Sequence, residues 1–287
     1  MLFFNDNMRP IFLTSFALFA FAFNSILCRA ALGSAEADAS GFTAVRLVSG
    51  AIVLAAIFFL TGKTKCPVKT GNWASSLFLF IYAICFSFAY LGLTTGAGAL
   101  ILFGCVQMTM IGSAIVKGEL PGGLEWLGLV IAVGGLVYLV FPGLSAPPLV
   151  GSLLMGVSGI AWGFYSLRGK KSDDALADTA GNFVRSVPFA LIAAIPFLSQ
   201  LRLSSRGIVL AVLSGAVASG LGYTAWYAAL KYHSSTRAAV LQLAVPLIAA
   251  LGGVLFLSES ADLRLGIASV LILGGIAVTI IGSRTVQ

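Results

Sequence analysis

The chain repeats itself, and the repeating unit holds an odd number of apolar segments. Glu119 closes one segment and Gly134-Gly135 sits in the next; Glu259 and Gly274-Gly275 do the same 140 residues later. Val45-Arg46 in the second segment is matched by Val184-Arg185 in the seventh, and Ala55-Ala56-Ile57 by Ala193-Ala194-Ile195. Phe86 and Tyr90 end the third segment, Tyr223 and Tyr227 the eighth, both at i, i+4 spacing. GAGALILFG opens the fourth and TRAAVLQLA the ninth in the same register. A unit of five spans leaves the chain on the far side of a bilayer, so the second copy enters reversed. Two related halves of opposite orientation fit a carrier, because exchanging their conformations opens a central site to either face.

The surroundings of those segments must be lipid. Of 287 residues, 59% are hydrophobic and 9% are charged, against about 25% charged in a soluble domain. A span needs about 20 apolar residues. Ten are expected, at 10–32, 39–61, 72–93, 96–117, 123–142, 149–168, 178–199, 207–230, 235–257 and 263–283. The fold class is therefore an all-α polytopic membrane protein, ten transmembrane helices in two inverted five-helix repeats. The halves are residues 1–146 and 147–287, divided at Pro147-Pro148, a pair that cannot continue a helix. The first apolar stretch lacks a small-residue cleavage site and is read as retained.

The net charge of +7 is not a nucleic-acid footprint, and no nucleic-acid partner is expected. Eleven Lys and Arg residues fall on one set of loops and four (Arg29, Arg202, Arg206, Arg264) on the other, which orients both termini to the cytoplasm. Cys28, Cys66, Cys85 and Cys105 show neither metal spacing nor a disulfide framework. No metal or cofactor is expected. The sequence carries no signal for or against self-association.

All ten acidic residues and the single histidine, His233, fall in loops or at span ends. An acid–base or metal-dependent enzyme needs such groups in a pocket, and a proton relay places them at mid-depth. The pattern argues against catalysis and for a chamber that is nearly uncharged.

Aromatic and amide side chains occupy mid-depth instead. Phe78, Tyr82, Phe86 and Tyr90 recur at four-residue steps on one face of span three. Trp162 and Tyr165 lie in span six, and Tyr223, Trp226 and Tyr227 in span eight. Interhelical packing accounts for any one of these rings; the three stripes together point to a lined cavity. Phe78, Tyr82, Phe103 and Trp162 are the candidates for holding an apolar body, and Asn24, Tyr223 and Gln242 for meeting a polar end. Gln107 is a further buried amide. Pro246 lies four residues after Gln242 and cannot bond to its carbonyl, which leaves that oxygen for a cavity. Pro188 and Pro196 mark kinks or hinges in span seven. Arg46 and Arg185 are read first as snorkelling to the near interface and second as a gate holding a carbonyl or a substrate carboxylate. Glu119 and Glu259 are read as helix-end partners.

Ten spans in inverted halves, Arg46 and Arg185, Glu119 and Glu259, and the stretch AVPLIAALGGVLFLSE (residues 244–259) resemble the drug/metabolite transporter superfamily of EamA type over nearly the whole chain. The Tyr- and Trp-rich interior is similar to the aromatic amino-acid exporters of that superfamily. The resemblance implies export across a bacterial inner membrane through a cavity lined by spans 1, 3, 4, 6, 8 and 9. Val106 stands where the second half has Pro246, a departure that sets the halves apart in substrate contact. The expected activity is export of small, largely neutral metabolites, foremost aromatic or apolar amino acids, by alternating access. The rivals are a multidrug or quaternary-amine exporter and, further off, a membrane-embedded transferase.

Overall fold

The computed structural model describes residues 8–61, 70–116, 122–141, 143, 146–169, 172–233, 241–242, 244–260 and 262–282. Ten helices run through them. They are α1 (Met8–Gly33), α2 (Ala39–Leu60), α3 (Trp73–Ala89), α4 (Thr95–Val116), α5 (Gly123–Val140), α6 (Leu149–Gly169), α7 (Ala175–Ala194), α8 (Ser205–Leu230), α9 (Ala244–Leu257) and α10 (Leu263–Gly282). Seven are long and apolar enough to cross a bilayer; α3, α9 and α10 are shorter apolar helices. Leu60, Val116, Leu255 and Val270 stand largely exposed on the outside. Such a surface is stable only in lipid. The protein is a multi-pass membrane protein.

Span seven is shorter than its apolar stretch. The α-helix stops at Ala194, and a 3₁₀ segment, Ile195–Gln200, follows with Pro196 in its first turn. Pro196 has no N–H to return to the Ile192 carbonyl, so the α ladder stops there although Ile195 keeps helical dihedrals. Pro188 is accommodated inside α7. α8 contains a π-helical stretch, Leu213–Leu221, built from small residues.

Neighbouring helices run mostly antiparallel. Along α3 and α6, Ser75 meets Arg168, Tyr82 meets Ser158 and Ala89 meets Gly151. Along α1 and α8, Thr14 meets His233, Asn24 meets Ser214 and Glu36 meets Gly207. α5 and α10 also cross antiparallel, with Gly128 against Gly275 and Gly135 against Leu271. Lipid tails are as apolar as leucine, so close backbone approach takes over the work that water does for a soluble core. Gly159 and Gly163 of α6 let it lie on Leu102, Cys105 and Thr109 of α4, and Gly215 of α8 lies against the backbone of Arg46 in α2.

The connections are tied at the ends. Asp38 caps α2 by accepting from Gly41 N–H at 2.8 Å, and also accepts from the Ser40 hydroxyl (2.6 Å) and Arg202 N–H (2.9 Å). Burial disfavours its charge, but these three donors outweigh burial and hold the carboxyl below the usual aspartate range. A lowered folded pKa stabilises above the ordinary aspartate range, and that contribution disappears as pH falls through the lowered value. The melting temperature of the wild type should exceed that of Asp38→Asn by most at neutral pH. Thermal melts across acidic pH should show the gap closing.

At the α5–α10 crossing, any side chain at Gly128 runs into the Gly275 carbonyl and the backbone and hydroxyl of Thr279. Gly128→Leu should destabilise the protein by about 1–3 kcal/mol, read as a lowered melting temperature in detergent.

Candidate functional site

The centre of the molecule is a cluster of buried rings from five helices. α1 contributes Phe21, α3 Tyr82 and Phe86, α4 Phe103, α6 Trp162 and α8 Tyr223. Trp162 lies 4.5 Å from Tyr223 and 5.0 Å from Tyr82 between ring centroids. Phe21 meets Trp162 edge-on at 5.7 Å, Tyr223 at 5.8 Å and Trp226 at 5.7 Å. These are the tilted and edge-on arrangements that ring quadrupoles favour. They enclose a cavity of about 10 Å³ as measured by the centre of a water molecule. That is room for about one water. The site is closed, and a larger guest enters only when rings turn aside.

Behind the rings lies a polar centre. Arg46 of α2, 1% exposed, donates from Nη2 to the hydroxyls of Tyr82 and Tyr223, each at 3.0 Å, and from Nε to Ser219 at 3.2 Å. The two tyrosine hydroxyls are 3.0 Å apart. Asn24 donates to Tyr82 at 3.0 Å and accepts from Ser214 at 2.6 Å. The guanidinium also lies 5.1 Å from the ring centroids of both Tyr82 and Phe86. Among the described residues Arg46 has no ion-pair partner.

Five of the seven substrate-binding candidates converge here: Asn24, Tyr82, Phe103, Trp162 and Tyr223. Phe78 does not. It stacks on half-exposed Phe164 at 5.3 Å in the α3–α6 seam. A four-residue step overshoots a helical turn by roughly 40°, so the stripe drifts around α3 and its two ends face different neighbours. Gln242 is buried in the stretch leading into α9, and its Oε1 has no hydrogen-bond partner among the described residues. Pro246 is buried in the first turn of α9. Gln107 is buried as well.

Arg46 does not snorkel. Its surroundings of hydroxyls and ring faces hold the charge inside, so the first reading of this residue is corrected. Arg185 does reach an end of the bundle: it donates to the carbonyls of Thr70 and Gly181 and lies 5.9 Å over the ring of Trp73. Glu259 is a helix-end partner, of α4 rather than its own helix. It accepts from Thr95 N–H at 2.8 Å and pairs with Arg29 at 3.3 Å. Glu119 lies outside the described residues. Ser214 and Ser219, which complete the polar centre, were not singled out in the sequence. Only the glycine and serine content of the π stretch hints at them.

The fold matches a solved crystal structure with a TM-score of 0.65 at 20% identity, over 94% of this chain and 99% of that one. The EamA-like transporter family matches residues 149–281. An uncharacterized protein of Pseudomonas aeruginosa is 49% identical over 269 residues, covering 94% of this chain and 93% of its own. The second half of the chain thus carries an EamA-like transporter domain. At greater distance, an uncharacterized transporter of Archaeoglobus fulgidus is 26% identical over 81% of this chain and 84% of its own. A probable amino-acid metabolite efflux pump of Escherichia coli is 25% identical over 81% of this chain and 83% of its own. The EamA match begins at the start of α6 and ends within α10.

Tyr82 carries the bonds that join α1, α2, α3 and α8. Tyr82→Phe leaves Asn24 Nδ2 without its acceptor and loosens Arg46. It should cost about 1–3 kcal/mol, measured as a lowered unfolding midpoint, with helix content retained.

Proposed function

We propose that the protein is a carrier of a bacterial inner membrane that exports small, largely neutral metabolites, foremost amino acids with aromatic or apolar side chains. The observation that carries this reading is the closed ring chamber around Trp162, built by helices of both halves of the chain. Six rings offer an apolar body stacking surfaces on several sides. Asn24 and Tyr223 supply polar contacts for the other end of the substrate.

The reading includes two inverted five-helix repeats, residues 1–146 and 147–287, and both termini in the cytoplasm. Several contacts support the inversion. Helices α5 and α10, fifth in each half, cross antiparallel. The pairing of α3 with α6 is mirrored by that of α8 with α1, both antiparallel, and α4·α6 is mirrored by α9·α1. A two-fold axis lying in the membrane plane produces this pairing. Alternating access follows if the halves rock about the chamber, and glycine seams such as Gly159–Gly163 give them smooth surfaces on which to do so.

The present state is occluded, since a water-sized void holds no amino acid. Among the described residues no carboxylate is bonded to the polar centre, so transport is expected to follow the substrate gradient. A quaternary amine fits less well: ring faces attract cations, but Arg46 already places a positive charge behind them.

Counterflow of labelled phenylalanine in reconstituted vesicles tests the reading. The wild type should exchange it without an imposed pH gradient. Trp162→Ala should lower exchange by about tenfold or more while expression and melting behaviour persist. Exchange that is absent, or strictly dependent on a pH gradient, sinks the respective part of the proposal.

A further inference from the structure

The polar centre holds more hydrogen-bond donors than acceptors. Arg46 commits Nε and Nη2, but among the described residues Nη1 has no partner although the residue is buried. Trp162 Nε1, on the wall of the chamber, has none among them either. The tyrosine pair adds a third donor. The Tyr82 oxygen already receives Asn24 Nδ2 and Arg46 Nη2. The Tyr82 and Tyr223 hydroxyls share one bond, which uses one of their two hydrogens. Both oxygens also accept from Arg46 Nη2, so among the described residues the second hydroxyl hydrogen has no acceptor in the polar centre, on a pair that lines the chamber. Asn24 Oδ1, the nearby amide acceptor, is occupied by Ser214.

Orphaned buried donors are costly, and an uncompensated cation in a dry interior is more so. All three orphans are donors, and they accompany a fixed positive charge. The complementary guest is an anionic oxygen acceptor attached to an apolar or aromatic body. Of the oxyanions, a carboxylate is compact and planar and matches the guanidinium fork.

We propose that Arg46, with Tyr223 and Trp162, is the carboxylate-recognition element of the transport site, and that the substrates are aromatic or apolar carboxylates, amino acids among them. This rests on the carrier reading above and narrows it. Arg46 stands behind Tyr82 and Tyr223 in the closed state, so the substrate carboxylate meets Nη1 once those rings have parted. The same positive charge disfavours the matching amines that lack a carboxylate.

Three probes share one phenyl body: phenylalanine, 3-phenylpropionate and phenethylamine. Binding is read on purified protein as a ligand-induced rise in melting temperature and as quenching of tryptophan fluorescence. The two carboxylates should bind the wild type, and phenethylamine should bind about tenfold more weakly or not at all. Arg46→Gln should weaken the carboxylates by about tenfold or more and erase their advantage over the amine. Arg46→Lys, which keeps the charge but loses the fork, should fall between. Phenethylamine binding as well as phenylalanine to the wild type overturns the proposal, and this comparison needs no variant to fold. Undiminished carboxylate binding by folded Arg46→Gln overturns it too. In both cases phenylalanine counterflow still stands, and with it the carrier reading. If no probe binds and phenylalanine does not exchange, both fall together.

Discussion

Arg46 keeps a full charge at membrane depth, and the middle of the molecule is organised around it. The bilayer core supplies no water to solvate a guanidinium. Two tyrosine hydroxyls, a serine and two ring faces take over that task. The partners come from two helices, α3 and α8, so the positions of both relative to α2 follow from one side chain. Gly215 contributes by letting α8 close on the Arg46 backbone, which brings Ser219 and Tyr223 within reach. Asn24 fastens α1 to the same hub.

The bundle around this hub is held largely by shape. Helices meet where glycine removes the side chain, and the outward faces carry leucine, valine and phenylalanine to the lipid. Polar ties gather at the ends. Glu259 reaches from the end of α9 to the start of α4 and to Arg29 of α1. Arg168 of α6 reaches Ser75 and Asn72 at the start of α3. Directional bonds that tie separate helices therefore sit mainly at the two faces and at one central point, with sliding contacts in between.

Much of this was legible in the sequence because lipid imposes a simple length rule. Expected and observed helices agree closely for spans one, two, four, five, six, eight and ten. Span seven departs because Pro196 breaks the pattern that apolarity alone continues. Five ring and amide candidates were found because an aromatic or amide at mid-depth is unusual enough to stand out. Phe78 was misplaced because a four-residue stripe was treated as straight. Arg46 and Arg185 were misjudged as a pair: their sequence context is alike, while the hydroxyls that keep only Arg46 inside come from residues far along the chain. The π stretch had no signal, since its winding reflects what presses on it.

That winding carries a further meaning. Leu213–Leu221 holds both serines that bond the hub, Ser214 to Asn24 and Ser219 to Arg46. A π turn is intrinsically poorer than an α turn and survives where tertiary bonds favour it. Drawing Arg46 away from Ser219 removes one of those bonds, and rewinding the stretch would rotate the cytoplasm- or exterior-facing end of α8 against the rest. The pitch of α8 is thereby tied to the side chain of Arg46.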